Sequence, residues 1–134
     1  MPTEVARSDN HVITADGGVL TCRIFSRPEL TAEEGATSAR RLADTLVAEV
    51  SRPGSPVSAL LLDMRDGPSV FGPVTRDMML ELLTWSTWRG LRTAILIGGA
   101  AIQRLQFTSL CQSVGDLAQV FDDEQVATSW LEGR

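Results

Sequence analysis

The sequence predicts a single mixed α/β domain with a mostly parallel five-stranded sheet and four helices, in the order β-β-α-β-α-β-α-β-α. Three observations predict it. The continuous apolar run from Val57 that ends in Asp63, and the segment Leu91 to Ile97, read as strands buried on both faces, as parallel strands are. The segments between strands carry apolar residues at helical spacing, and strands alternating with single helices imply parallel crossovers. The length, 134 residues, fits one core, and 43% hydrophobic with 22% charged residues is an ordinary globular balance.

Met1 to Asn10 are polar and aperiodic, so a loose N-terminus is expected before a domain spanning 11–134. His11 to Ala15 and Val19 to Phe25 flank Asp16-Gly17-Gly18, a hairpin signal, and alternation along the second strand turns Cys22 to the core. Thr31 and Glu34 form a capping box that opens a helix. Its stripe of Ala36, Ala39, Leu42, Ala43, Leu46, Val47 and Val50 faces the sheet, and Ser51 to Pro56 ends it. After the Val57 to Asp63 strand, Pro73 suits a first helical turn, with Phe71, Val74, Met78, Leu82 and Trp85 as the core face. Met79, Leu80 and Leu83 fall elsewhere on the wheel, so a second, outward apolar face is expected. Gly98-Gly99 leads from the next strand into a helix from about Ala100 to Val114, with Ile102, Leu105, Leu110, Cys111 and Val114 on its apolar positions. Leu117 to Phe121 is the last strand, and Asp122 or Asp123 caps a terminal helix with Val126, Trp130 and Leu131 inward.

Composition excludes several chemistries. All twelve basic residues are arginine, so no lysine is present for a phosphate-binding loop, a Schiff base or a phosphorylated receiver site. A net charge of −5 argues against sequence-independent nucleic-acid binding, which needs clustered cations. No apolar run reaches the roughly 20 residues of a membrane span, and Met1 to Asn10 lack the apolar core of a secretory signal, so a cytoplasmic protein is expected. Cys22 and Cys111 lack metal or redox spacing and read as buried thiols. His11 has no neighbour suggesting a triad and reads as a surface strand residue, while Trp85, Trp88 and Trp130 read as packing residues. No catalytic residue, metal or cofactor is assigned.

Ligands and partners of open α/β sheets gather at the carboxyl ends of the strands. Two readings of that region follow. Asp63, Arg65, Gly98 and Gly99 would line a small-molecule pocket for a lipid or nucleotide, with the Gly-Gly amides exposed at a helix N-terminus. Alternatively, Arg65, Asp66, Ser69, Thr75, Met79, Leu80 and Leu83 would form a surface for a protein partner or a second copy of the chain. In a purely structural role, Asp63 pairs with Arg65 or another nearby arginine while Asp66 and Ser69 satisfy turn and cap amides.

The segment LLLDMRDGP, the strand TAILIGG and the ending VFDDEQVATSWL together resemble the STAS-like family of small bacterial domains related to anti-sigma-factor antagonists, over about residues 11–131. The resemblance implies a non-enzymatic α/β regulatory domain that binds a partner through the loop and helix after the central strand. In phosphoregulated members a serine or threonine at the start of that helix is phosphorylated. Here the segment reads Val70-Phe71-Gly72-Pro73-Val74 instead of Asp-Ser-Ser-Gly, and Ser69 and Thr75 only flank the position, so the phosphoacceptor role is not transferred. Some STAS-like and related lipid-transfer-like domains bind small apolar molecules, a second implication of the resemblance.

Overall fold

The apolar strand runs can be buried on both faces only if helices cover both sides of the sheet, and the computed structural model, which describes residues 2–133, has that arrangement. Its elements are β1 (Thr3–Arg7), β2 (His11–Asp16), β3 (Val19–Ile24), α1 (Ala32–Ser51), β4 (Ala59–Asp63), α2 (Pro73–Trp88), β5 (Arg92–Leu96), α3 (Ala101–Val114), β6 (Ala118–Phe121) and α4 (Glu124–Leu131). The six strands lie in sequential order in one mixed sheet, antiparallel from β1 to β3 and parallel from β3 to β6. Each parallel crossover moves one strand in the same direction, so a constant hand puts α1, α2 and α3 on one face. They cover Leu20, Cys22, Ile24, Leu60, Leu62, Ile95 and Ile97. The opposite face, through Ala59, Leu61, Ala94 and Leu96, receives Ala127 and Leu131 of α4.

The described residues include one strand more than the five expected. Thr3–Arg7, expected to be loose, pair antiparallel with β2, with a register shift between Glu4 and Ala6. An edge strand needs no apolar alternation because one side faces water, and its exposed Glu4–Arg7 ion pair and irregular register discourage further pairing. The hairpin holds, with Gly17 at φ 61° supplying the left-handed turn residue. The Thr31–Glu34 capping box is present in both directions, and Asp123, not Asp122, caps α4 by accepting from the amides of Gln125 and Val126.

The two-faced reading of α2 is wrong. Met79 is 7% exposed and Leu83 0%, both within the main core, while Leu80 packs partly buried against it. Val74, assigned to the core face, is 59% exposed. The reason is position: α2 lies between α1 and α3, so a helix bounded beneath and on both flanks buries a much wider arc than one flanking helix does. The exposed line runs instead through Asp77, Glu81, Thr84 and Trp88. On α3 the buried set is Gln103, Phe107, Leu110 and Cys111, leaving Ile102 and Leu105 exposed, and on α4 Val126 faces outward. Trp130 is held by Phe121, with ring centroids 5.4 Å apart, and by the Arg92 guanidinium at 5.3 Å.

Candidate functional site

The predicted residues of the β4–α2 and β5–α3 loops lie at the carboxyl ends of the strands, where the sheet divides them into two corners, whereas Met79, Leu80 and Leu83 lie further along α2. Alternation along β4 sends Asp63 to the face of Leu61 and α4. There Arg65 grips Asp63 with two hydrogen bonds, Nε to Oδ1 at 3.0 Å and a terminal nitrogen to Oδ2 at 2.7 Å. The same guanidinium donates to Glu124 of α4 at 2.7 Å, and the Arg65 amide donates to Asp63 Oδ1 at 3.1 Å. Asp66 pairs with Arg23 at 2.6 Å rather than capping a turn. Burial pushes the Asp63 carboxyl up, but the Arg65 hydrogen bonds and charge, with Arg23 beyond, outweigh it and hold the group below the usual carboxylate range.

Gly98 belongs to the same corner, where a β-carbon would stand 3.4 Å from the Arg65 carbonyl oxygen, so the two loops pack backbone to backbone. Its amide is not free for an anion. It donates to Gln103 Oε1 at 3.2 Å.

An expected result follows from this ion pair. Arg65→Met removes the cation and leaves the buried Asp63 facing only Arg23, with Glu124 and Asp66 as acidic neighbours. Because Arg65 is partly exposed and screened, the cost at pH 7 is expected at about 1–3 kcal/mol. In the native protein a depressed carboxyl contributes stability above its unfolded pKa of about 4 and loses it as pH falls through the folded value. In Arg65→Met burial is less opposed, the Asp63 pKa rises, and protonation relieves the cost. Urea titrations from pH 7 to pH 3 should show the gap between the two proteins closing below about pH 4. A gap constant across that range would mean the ion pair is not its source.

On the other face the loop between β4 and α2 is held by two glutamines that the sequence reading missed. Gln103, 2% exposed, donates to the carbonyls of Met64 at 2.9 Å and Pro68 at 3.0 Å while accepting from Gly98. One side chain thus ties three points of two loops. Gln106, one turn further, accepts from the Phe71 amide at 3.1 Å and donates to the Phe71 carbonyl at 3.0 Å. Ser26 N donates to the Asp66 carbonyl at 2.8 Å, which fixes the outer strand of the loop. The signal was present: polar residues three apart beside Phe107 on an inward stripe are the informative exception to apolar burial.

With the loop fixed, Ser69, Val70 and Val74 are exposed, Thr75 is half-buried, and Phe71 turns inward onto Phe107 with ring centroids 5.1 Å apart. The N-cap of α2 is Gly72, so Ser69 does not cap it. Of the predicted partner surface, Arg65, Asp66 and Ser69 are exposed and Thr75 is half-buried, whereas Met79 and Leu83 are withdrawn into the core.

The remaining candidates are structural in their surroundings. His11 is buried, not a surface residue; Ser8 Oγ lies 2.8 Å from its Nδ1, and Asn10 links it to Ser38 of α1. Burial, then the Arg41 charge, lowers its pKa. Burial pushes the Cys22 thiol up to about 12 and the Cys111 thiol up to about 11, which holds both protonated at neutral pH. Among the described residues no helix is long and apolar enough to cross a membrane. Compared with family models and with curated proteins, the chain matches none.

Proposed function

We propose that the chain is a non-enzymatic binding domain of the STAS-like kind, regulatory in role, that meets a protein partner or a second copy of itself through the rim formed by residues 65–75. One observation carries the reading. Gln103 and Gln106 fix residues 64–71 through both amide nitrogens and the Gln106 oxygen, with the Gln103 oxygen tied to Gly98, while the outward side chains Val70 and Val74 take little part in the domain's own packing, at 54% and 59% exposure. A surface held in one conformation before contact pays less ordering entropy on binding, so rigidity at an exposed apolar rim favours recognition. The ionised groups nearby are consumed in structure, Asp63 and Glu124 by Arg65 and Asp66 by Arg23, which supports a binding role over catalysis. Exposed Ser69 and half-buried Thr75 stand next to the valines in the chain, and polar groups beside apolar ones are the composition of an interface rim.

The test is site-specific photocrosslinking in cells that make the chain at its native level, with the reactive residue at position 70, 74 or 126. Val126, 55% exposed on α4, matches the others in residue type and exposure but lies on the opposite face. Positions 70 and 74 are expected to yield one discrete adduct, at twice the chain's mass or heavier by a fixed partner mass, and position 126 none. Equal adducts from all three positions, or none from any, would overturn the reading.

A further inference from the structure

The geometry points to a ligand site for a small uncharged, largely hydrocarbon molecule, about the size of a substituted benzene with one hydrogen-bonding group, in the cavity between the N-terminal halves of α1 and α2. The cavity measures about 220 Å³ and lies on the α1–α3 face, beneath the 64–72 loop. Its walls are Ile24, Leu42, Met64, Phe71, Met79 and Phe107, all from the buried core. It stands whether or not the rim above it meets a partner.

The void originates in the sequence of α1. Where that helix passes the cavity it carries Gly35, Ser38 and Ala39, and a β-carbon added at Gly35 would meet nothing within 4 Å. A leucine there would close the space and improve helix propensity, so the small residues keep open a volume that close packing would fill. An apolar cavity of about 150 Å³ is large enough to take up benzene, and drug-sized sites start near about 300 Å³. The volume here lies between them, which sets the ligand at roughly eight to ten heavy atoms.

Polarity sets the rest of the class. Ser26 and Thr75 line the cavity, and neither hydroxyl has a hydrogen-bond partner among the described residues. Asn10, Thr31 and Ser38 also line it, but the Ser38 hydroxyl donates to Asn10 Oδ1 at 2.6 Å and the Thr31 hydroxyl accepts from the Glu34 amide at 3.1 Å, so the open hydroxyls are few, which suits an alcohol, phenol or carbonyl. Arg27 is the one charged residue in the described lining, and its guanidinium is engaged by the Glu29 carboxylate and by the Asp9 carbonyl at 2.9 Å. Glu33 and Glu34 occupy the nearby first turn of α1. A carboxylate entering the cavity would be desolvated without a free cation, whereas a neutral molecule loses little.

Methionine methyl NMR separates this site from non-specific uptake. Met64 and Met79 line the cavity, whereas Met78 faces the separate groove between α1 and α2. With methyl-¹³C-methionine protein, 2-phenylethanol and propylbenzene are expected to shift the Met64 and Met79 resonances saturably and leave Met78 unmoved, while phenylacetate binds at least about tenfold more weakly. Gly35→Leu should abolish the shifts. Thr75→Val, which leaves the packing nearly unchanged, should weaken 2-phenylethanol about three- to tenfold and leave propylbenzene as it was. The site is overturned by any of three results: no saturable shift, equal shifts at Met78, or undiminished binding by Gly35→Leu. Phenylacetate binding as tightly as the alcohol, or an unaltered alcohol affinity in Thr75→Val, would overturn the assigned ligand class.

Discussion

Leu83→Glu is expected to abolish folding. Leu83 is 0% exposed and sits in the main core beneath the middle helix of the three that cover one sheet face. Truncating such a leucine to alanine costs about 2–5 kcal/mol from lost transfer energy and the cavity left behind. Glutamate adds a carboxylate in a site with no cation to receive it, worth several kcal/mol more even after relaxation or protonation. The sum reaches the whole stability of an ordinary domain, about 5–15 kcal/mol. Far-UV circular dichroism at 25 °C should show loss of helical signal in Leu83→Glu, and a melting temperature at least about 10 °C lower in Leu83→Ala. Val74→Glu on the exposed side of the same helix should stay within about 0.5 kcal/mol of the parent. The contrast decides which face of α2 is outward: a well-folded Leu83→Glu would return that residue to the surface and reinstate the wider interface that burial removes.

Helical periodicity made α2 legible as an element but not its orientation. A wheel assumes one buried stripe, and Phe71, Val74, Met78, Leu82 and Trp85 supplied one by themselves. Met79, Leu80 and Leu83 then looked surplus, although they are what a middle helix needs against two neighbours. The same ambiguity misplaced Ile102, Leu105 and Val126, because α3 and α4 each cover the sheet with a narrower face than their apolar content suggests. Strands were read more securely. Leu60 to Leu62 and Ala94 to Ile97 are apolar at every position, and no other arrangement of a short chain buries such runs on both sides. Thr3–Arg7 escaped because an edge strand with a bulge carries no such pattern. At the candidate site the charged residues were visible: Asp63 and Arg65 stand two apart at a strand end, and the pair forms as the structural reading expected. Its third member, Glu124, is distant in sequence, and only the parallel order of β4, β5 and β6 brings α4 back beside β4. The cavity was illegible for a similar reason. Ala39 read as part of an alanine-rich packing face, Gly35 and Ser38 carried no signal, and only the loop held above them shows that all three line empty space.

Gln103→Leu is expected to be the most damaging conservative change at the site. The substitution nearly preserves volume and adds apolar surface, so a side chain that merely fills space would tolerate it or gain from it. Gln103, however, is itself buried and satisfies two carbonyls, of Met64 and Pro68, and the Gly98 amide. Leucine leaves the Pro68 carbonyl and the Gly98 amide without partners, while Met64 keeps the Gly67 amide at 3.0 Å, and each orphaned group costs about 1–3 kcal/mol unless water or a loop shift restores it. With partial rescue by water the expected loss is about 2–4 kcal/mol in a urea titration. The damage should also be local. Gln106 still clamps Phe71 from the next turn, so residues 64–68 should gain amide exchange at rates well above the β4 and β5 core while α1 stays protected. Gln103→Glu separates hydrogen bonding from packing, since its carboxylate can accept from Gly98 but cannot donate to either carbonyl unless protonated. It should be as unstable as leucine at pH 7 and recover as pH falls, because a buried carboxyl between two carbonyls has a raised pKa and contributes stability only when protonated. A Gln103→Leu protein with parental stability and unchanged exchange at residues 64–68 would show that the loop holds its shape unaided, and the rigidity that supports its role in recognition would lose its physical basis.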